Sequence, residues 1–333
     1  MILRPLTHRE RMESCLFGEN VDRIPVALWR HFPVDDQSPG SLAAATSSFQ
    51  KLYDFDFIKV TPSSSFCIRD YGAEDIWKGS PEGTRDYQGA VIHNPEDWEK
   101  LPVLHPRRDA LGMQVECLQL LVPQYFPHTP IIQTIFSPLS QAKNLVGKNE
   151  LLVHIRKNPD ALKLGLERIT ENTIAFIEEI LKTGVDGIFY AVQHAQFGLL
   201  GIDEFRQFQM AYDLRILKTV QTKWLNVGHI HGEDIMFDEI TSYPLNVLNW
   251  HDQHTFPSLG ESQKRFKGAV CGGLRRWETM VLGNPDKVRE EAMAAATETG
   301  GCRFILGTGC VLPIVSPHGN ILAASRSFQE DVH

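Results

Sequence analysis

No run of roughly 18 apolar residues, the length of a membrane span, occurs anywhere in the 333 residues, and the first 30 alternate charge with apolar positions rather than forming a leader. A soluble, cytoplasmic protein with no membrane partner is expected. A basic excess is missing as well. Lys and Arg number 33 against 41 Asp and Glu, a formal charge of −8, whereas a nucleic-acid partner demands a basic face to neutralise phosphates. Cysteine is sparse: Cys15, Cys67, Cys117, Cys271, Cys302 and Cys310 have neither framework nor C-x-x-C spacing, so reduced thiols are expected. No G-x-G-x-x-G follows the first apolar segment and there is no P-loop, which removes the usual grounds for an open nucleotide-binding sheet. Disorder is excluded too, with 42% hydrophobic and 22% charged residues.

What the chain does contain is a long alternation of short apolar strands and amphipathic helices. Strands are predicted at Ile24–Trp29, Phe55–Val60, Ile131–Phe136, Val185–Val192, Trp224–His231, Leu245–Trp250, Gly268–Gly272 and Arg303–Thr308. Thr7-His8-Arg9-Glu10 reads as a capping box, and Asn158-Pro159 and Asn284-Pro285 each place a cap before a first-turn proline. Asp203 is expected to cap a further helix, and the stripe Leu162, Leu166, Ile169, Thr173 to pack on the sheet. Eight strands alternating with helices predict a single-domain α/β fold, a (β/α)8 TIM barrel over residues 1–333, with a long excursion at about 70–108 packed beside its mouth.

In such barrels the reactive groups sit where strands end. Histidines gather there: Arg30-His31 after the first strand, His194 after the fourth, His229-Ile230-His231 and then Glu233 after the fifth, His251 and His254 after the sixth. Residues i and i+2 of a strand share a side, so His229 and His231 face one space, with Leu225 and Val227 filling the barrel below them. Assigning Phe304, Leu306, Thr308 and Cys310 to one side of the last strand brings the Cys310 thiol to the same end. Two imidazoles and a thiolate form a three-ligand zinc set with one position open. On spacing alone, thirteen histidines produce an H-x-H by chance often enough that packing and ligation both stand, and His251 and His254 compete for membership. Arg30, His31, His194, His251 and Glu233 are the candidate pocket residues.

Taken together, Thr7-His8-Arg9-Glu10-Arg11, Asp22-Arg23-Ile24-Pro25, Tyr53-Asp54-Phe55-Asp56-Phe57, Ser137-Pro138, Gly198-Leu199-Leu200, Val281-Leu282-Gly283-Asn284 and Gly309-Cys310 resemble the uroporphyrinogen decarboxylase superfamily along nearly the whole chain. The resemblance implies a (β/α)8 barrel. Of the decarboxylase residues, Arg30 remains, the second arginine of its loop is absent, Thr61 stands for the aspartate and Thr308 for the histidine. Those departures point instead to the branch similar to the methylcobamide:coenzyme M methyltransferases, whose zinc signature is His-x-Cys plus a distant Cys. Here His229 and Cys310 match and His231 replaces the middle cysteine. The resemblance thus implies metal ligands His229, His231 and Cys310, Zn2+ and a corrinoid as cofactors, and a corrinoid carrier protein and a small methylated substrate as partners. The carrier is expected to be separate, because the chain lacks the cobalamin-binding D-x-H-x-x-G. Exchanging a thiolate for an imidazole hardens the metal, favouring demethylation of a methoxy compound over thiol methylation. The alternatives are thiol methylation from a methylcorrinoid, a decarboxylase-like lyase, and a non-catalytic tetrapyrrole binder. A homodimer is compatible with all of them.

Overall fold

The computed structural model describes residues 4–329; residues 1–3 and 330–333, within the expected domain span, lie outside the described residues. Seven parallel strands run in the order β1 (Ile58–Val60), β4 (Ile131–Phe136), β5 (Gly187–Val192), β6 (Val227–Ile230), β7 (Val247–Trp250), β8 (Ala269–Leu274) and β9 (Phe304–Thr308). The β2–β3 pair (Asp75–Ile76, Asp86–Tyr87) is a small antiparallel ribbon within the 70–108 excursion.

The predicted first strand is present as an extended segment rather than a regular strand. It pairs with β9 through Leu306 N–H to the Pro25 carbonyl and Ala27 N–H to the Leu306 carbonyl, both 2.9 Å. Pro25 offers no N–H of its own. Towards β1 the ladder is largely replaced by one carboxylate. The Asp56 amide donates to the Val26 carbonyl at 2.8 Å, while the fully buried Asp56 side chain accepts from Val26 N–H (2.7 Å), Arg11 (2.6 Å) and Arg23 (2.7 Å). With this eighth member the sheet is a (β/α)8 barrel.

The helices largely follow their sequence signals, although the Asn158 side chain makes no capping hydrogen bond before Pro159. The Thr7–Glu10 capping box opens α1 (His8–Phe17), and the Asn284 side chain caps α11 (Pro285–Thr299). In α6 (Pro159–Leu181) the whole stripe Leu162, Leu166, Ile169 and Thr173 is buried. Asp203 is not a cap. Helix α7 (Ile202–Phe205) starts from Gly201, to whose amide Glu204 reaches back at 3.0 Å, and a π-turn at Arg206–Met210 follows.

Inside the barrel, Ala27, Phe57, Ile132, Phe189, Leu225, Val227, Val247, Ala269, Cys271 and Ile305 form one apolar plug. Leu225 and Val227 do lie beneath the histidines. On β9, however, Ile305 is the inward residue, and Phe304 and Leu306 pack outward with the helix-facing core. The expected side assignment of that strand is therefore reversed. The 70–108 excursion buries Trp98 completely, and its Glu82, Thr84, Arg85 and Tyr87 help line the barrel mouth. Among the described residues no helix is long and apolar enough to cross a membrane.

Candidate metal centre

The neighbouring strands β6 and β7 and the segment after β9, across β8 from them, deliver four donors to one point at the C-terminal end of the barrel. His229 is an inward residue of β6, paired with Ala191 on one side and Asn249 on the other. His231 continues the ladder by one residue, its amide donating to the Val192 carbonyl at 2.9 Å. His251 follows β7 immediately, and Cys310 lies two residues beyond β9. One ligand atom from each of His229, His231, His251 and Cys310 lies within 4.8 Å of every other. His231 Nδ1 is 3.5 Å from His251 Nε2 and 4.0 Å from Cys310 Sγ. Neighbouring donors on a tetrahedral zinc sit about 3.3–3.8 Å apart, given the usual metal–ligand bond lengths. The four groups are within a few tenths of an ångström to an ångström of that geometry.

Two glycines make the approach possible. A Cβ at Gly309 would lie 2.6 Å from the Trp250 carbonyl oxygen and 2.7 Å from His251 Cα, so only glycine lets the Cys310 segment pass this close to His251. Gly232 turns the chain after His231 at φ +106°, where a Cβ would also meet the Gln196 side chain at 2.2 Å. Cys310 thus reaches the site by the bend after Thr308, whose hydroxyl holds the Cys310 carbonyl at 2.6 Å, and not by strand parity.

The protonation states suit ligation. Burial alone would raise the Cys310 thiol, but the charge of His229 and hydrogen bonds from His229, His231 and His251 outweigh it and hold the thiol well below its ordinary range. Burial also pushes the His229 imidazole down, against the opposing pull of the Cys310 charge. The tautomer of His229 is fixed by Asn249, a residue the sequence reading passed over. Asn249 Nδ2 donates to the carbonyls of Cys271 (2.9 Å) and Thr308 (3.0 Å), so its Oδ1 faces His229 Nδ1 at 2.7 Å as an acceptor. Nδ1 therefore carries a proton, and Nε2 is the nitrogen that faces the cluster.

Beside the cluster opens a cavity of about 460 Å³, within the range of small-molecule sites. His31 lines it, its Nδ1 3.2 Å from the Pro62 carbonyl, and burial with the nearby Lys59 charge lowers its pKa to about 4. The other pocket candidates fall elsewhere. Arg30 points away from the cavity, its guanidinium over Phe32 and Phe49 and one amino group 3.3 Å from the Ile314 carbonyl. His194 is buried behind the wall, does not line the cavity, and is pushed down to about 3 by burial and the charge of Lys143. Glu233 is exposed and outside both cluster and cavity, because Gly232 turns the chain away. His251, by contrast, belongs to the donor set itself.

Lys59 was also missed. It is 6% exposed, lines the cavity, and donates to Thr61 Oγ1 at 3.1 Å. Its ammonium sits 4.5 Å from the Phe189 ring centre, and Phe189 in turn stacks on His229 with centroids 5.5 Å apart. Burial lowers its pKa to about 7, with the Cys310 charge opposing. A lysine between Phe57 and Thr61 on the inward side of a barrel strand was the available signal.

An α/β barrel with clustered imidazoles and a thiol at its C-terminal mouth has the layout of a barrel enzyme, the class whose reactive groups gather at that face. More narrowly, residues 7–330 match the family model "Uroporphyrinogen decarboxylase (URO-D)", and the chain belongs to that family. Along 97% of the chain and 98% of the relative it is 22% identical to the methylcobamide:CoM methyltransferase MtaA of Methanosarcina barkeri. A solved methyltransferase from Methanosarcina mazei superposes with a TM-score of 0.83 at 19% identity, covering 97% of this chain and 98% of that one. A B12-independent methionine synthase from Shewanella sp. W3-18-1, solved with selenomethionine, shares the fold at a TM-score of 0.63 and 15% identity, covering 92% and 96%.

Proposed function

We propose that this protein is a zinc-dependent methyltransferase that moves a methyl group between a small methylated substrate, preferably a methoxy compound, and a corrinoid on a separate carrier protein. The observation that carries this reading is the convergence of His229, His231, His251 and Cys310 beside a cavity sized for a small molecule. The donors fit zinc: borderline-soft nitrogen and sulfur, no carboxylate, and spacings close to a tetrahedron. His229, His231 and Cys310 would form the three-ligand core and His251 the fourth member. When bound, zinc supplies a Lewis acid beside the heteroatom that carries the methyl group.

The chain's own residues do the rest. Asn249 holds the Nδ1 proton of His229 and so aims Nε2 at the cluster, and the surrounding imidazoles lower the Cys310 thiol. Trp29, Phe136 and Phe189 provide an apolar wall against which a methyl group is shielded from water. The cavity suits a small substrate. Delivery of the corrinoid by a separate carrier fits the absence of a D-x-H-x-x-G motif from the sequence.

A set with three neutral imidazoles and one thiolate leaves more positive charge on the metal than a two-thiolate set. That favours polarising an ether oxygen over making a thiol nucleophilic. Thiol methylation is the second reading, favoured by the name of the M. barkeri relative. A lyase clamping carboxylates with Arg30 is not favoured, since Arg30 lies outside the cavity.

The test combines metal analysis with a substrate panel. Purified protein should hold about one zinc per chain, Cys310→Ala should lose it, and His251→Ala should keep it, because three protein donors suffice for a catalytic site. Methyl transfer is then assayed from methyl ethers to a reduced corrinoid and from methylcobalamin to thiols. Thiol methylation without ether activity overturns the methoxy preference, and zinc retention in Cys310→Ala overturns the ligand set.

A further inference from the structure

The interior cavity carries a charge that the rest of the chain does not predict. Although the protein bears a formal charge of −8, the carboxylates around this cavity are already committed. Arg276 pairs with Glu82, and Arg85 pairs with Asp75. Two cations remain without a carboxylate among the described residues: Lys143, which donates to neutral Gln193 Oε1 at 3.0 Å, and Lys59. Lys59 is the unusual one. It is more than nine-tenths buried, it has three N–H donors, and its one protein acceptor among the described residues is the Thr61 hydroxyl.

We propose that Lys59 is the anchor for an oxyanion, a carboxylate or sulfonate, on a small aromatic or otherwise apolar molecule that fills the cavity with its far end towards the His229–His231–His251–Cys310 cluster. The walls match that body: Trp29, Phe136 and Phe189 line the same space. The scale matches as well. Phe189 separates the two ends, 4.5 Å from the Lys59 ammonium and 5.5 Å from the His229 ring, so amine and imidazole lie no more than about 10 Å apart along a path through that ring. A substituted benzene ring with an oxyanion at one end is of that length. Holding an ammonium here is costly, as its lowered pKa shows, and a bound anion would offset the cost. This names the substrate class of the site proposed above and rests on that reading only for the cavity being the substrate's.

Zinc-loaded wild type and Lys59→Met are titrated calorimetrically with benzoate, benzenesulfonate and benzamide, none of which carries a transferable methyl group. Wild type should bind at least one anion about 10- to 100-fold more tightly than benzamide, and Lys59→Met should lose that preference. The tighter anion identifies the oxyanion. Unchanged zinc content and a melting temperature no lower than wild type show that the variant has folded. The proposal is overturned if wild type does not prefer either anion to benzamide, or if Lys59→Met keeps the preference. Lys59-dependent benzoate binding in a protein that transfers no methyl group supports the anion site while removing the methyltransferase reading.

Discussion

Replacing Asn249 by alanine separates a positioning role from a packing one. The side chain is fully buried and makes three hydrogen bonds, to His229 Nδ1 at 2.7 Å and to the carbonyls of Cys271 and Thr308 at 2.9 and 3.0 Å. Truncation strands two buried carbonyls and one imidazole N–H, at about 1–3 kcal/mol each before relaxation, so a net loss of about 3–5 kcal/mol of stability is expected. It also frees the His229 ring to rotate and to move its proton to Nε2. Removing such a partner of a metal-bound histidine costs about 10- to 100-fold in metal affinity, or about 1.4–2.7 kcal/mol. Asn249→Asp is the control. It keeps an acceptor opposite Nδ1 but turns an oxygen against two carbonyls, so it should lose stability while retaining more of the metal affinity. Zinc affinity is read by competition with a chromophoric chelator, and stability by urea unfolding. A folded Asn249→Ala with wild-type zinc affinity would refute the tautomer argument, as would equal losses of affinity in both variants.

Two further outcomes follow from the same geometry. Lys59 titrates near 7 in the folded protein against an ordinary 10.5, so between those values the unfolded chain binds the extra proton and stability must rise with pH. Urea midpoints measured from pH 7 to 10 should climb in wild type and flatten in Lys59→Met; parallel profiles would show that the amine is not buried as described. Gly232→Ala forces a Cβ into a left-handed backbone position 2.2 Å from Gln196 and should cost about 1–3 kcal/mol or more, seen as a lowered melting temperature. A neutral result there would mean that the turn after His231 is not the one described.

The parts of the site that depend on period-2 geometry inside one strand were legible in the sequence. His229 and His231 face one space because they are two residues apart on β6 and its one-residue extension, and Leu225 and Val227 lie below them for the same reason. Cys310 came to the predicted place by a different route, since β9 ends at Thr308 and the bend at Gly309, not strand parity, carries the thiol in. Glu233 failed because a single positive-φ glycine redirects the chain, and such a turn leaves no periodic trace. Arg30 and His194 lie at strand ends as expected but face away from the cavity, a matter of which neighbours pack around them. Lys59 and Asn249 each sit at an inward position of a strand that is otherwise apolar, and a polar residue there is a signal that strand periodicity does carry. The barrel itself was legible from alternation, apart from its first member, whose pairing depends on Pro25 and on a carboxylate thirty residues away.

That first member has a mechanical consequence. A ladder ties two strands at every second residue, so strain applied anywhere is shared along its length. The segment around Val26 is tied to β1 chiefly at one point, where Asp56 gathers Val26, Arg11 and Arg23. Beyond that point the segment runs on through Trp29, whose carbonyl is held by the Leu312 amide at 2.8 Å, to His31, and both Trp29 and His31 line the cavity. The donors on β6 and β7 thus rest on a full ladder, whereas the wall formed by Trp29 and His31 depends on one carboxylate, so neutralising Asp56 should disturb the pocket wall before it disturbs the spacing of the donors.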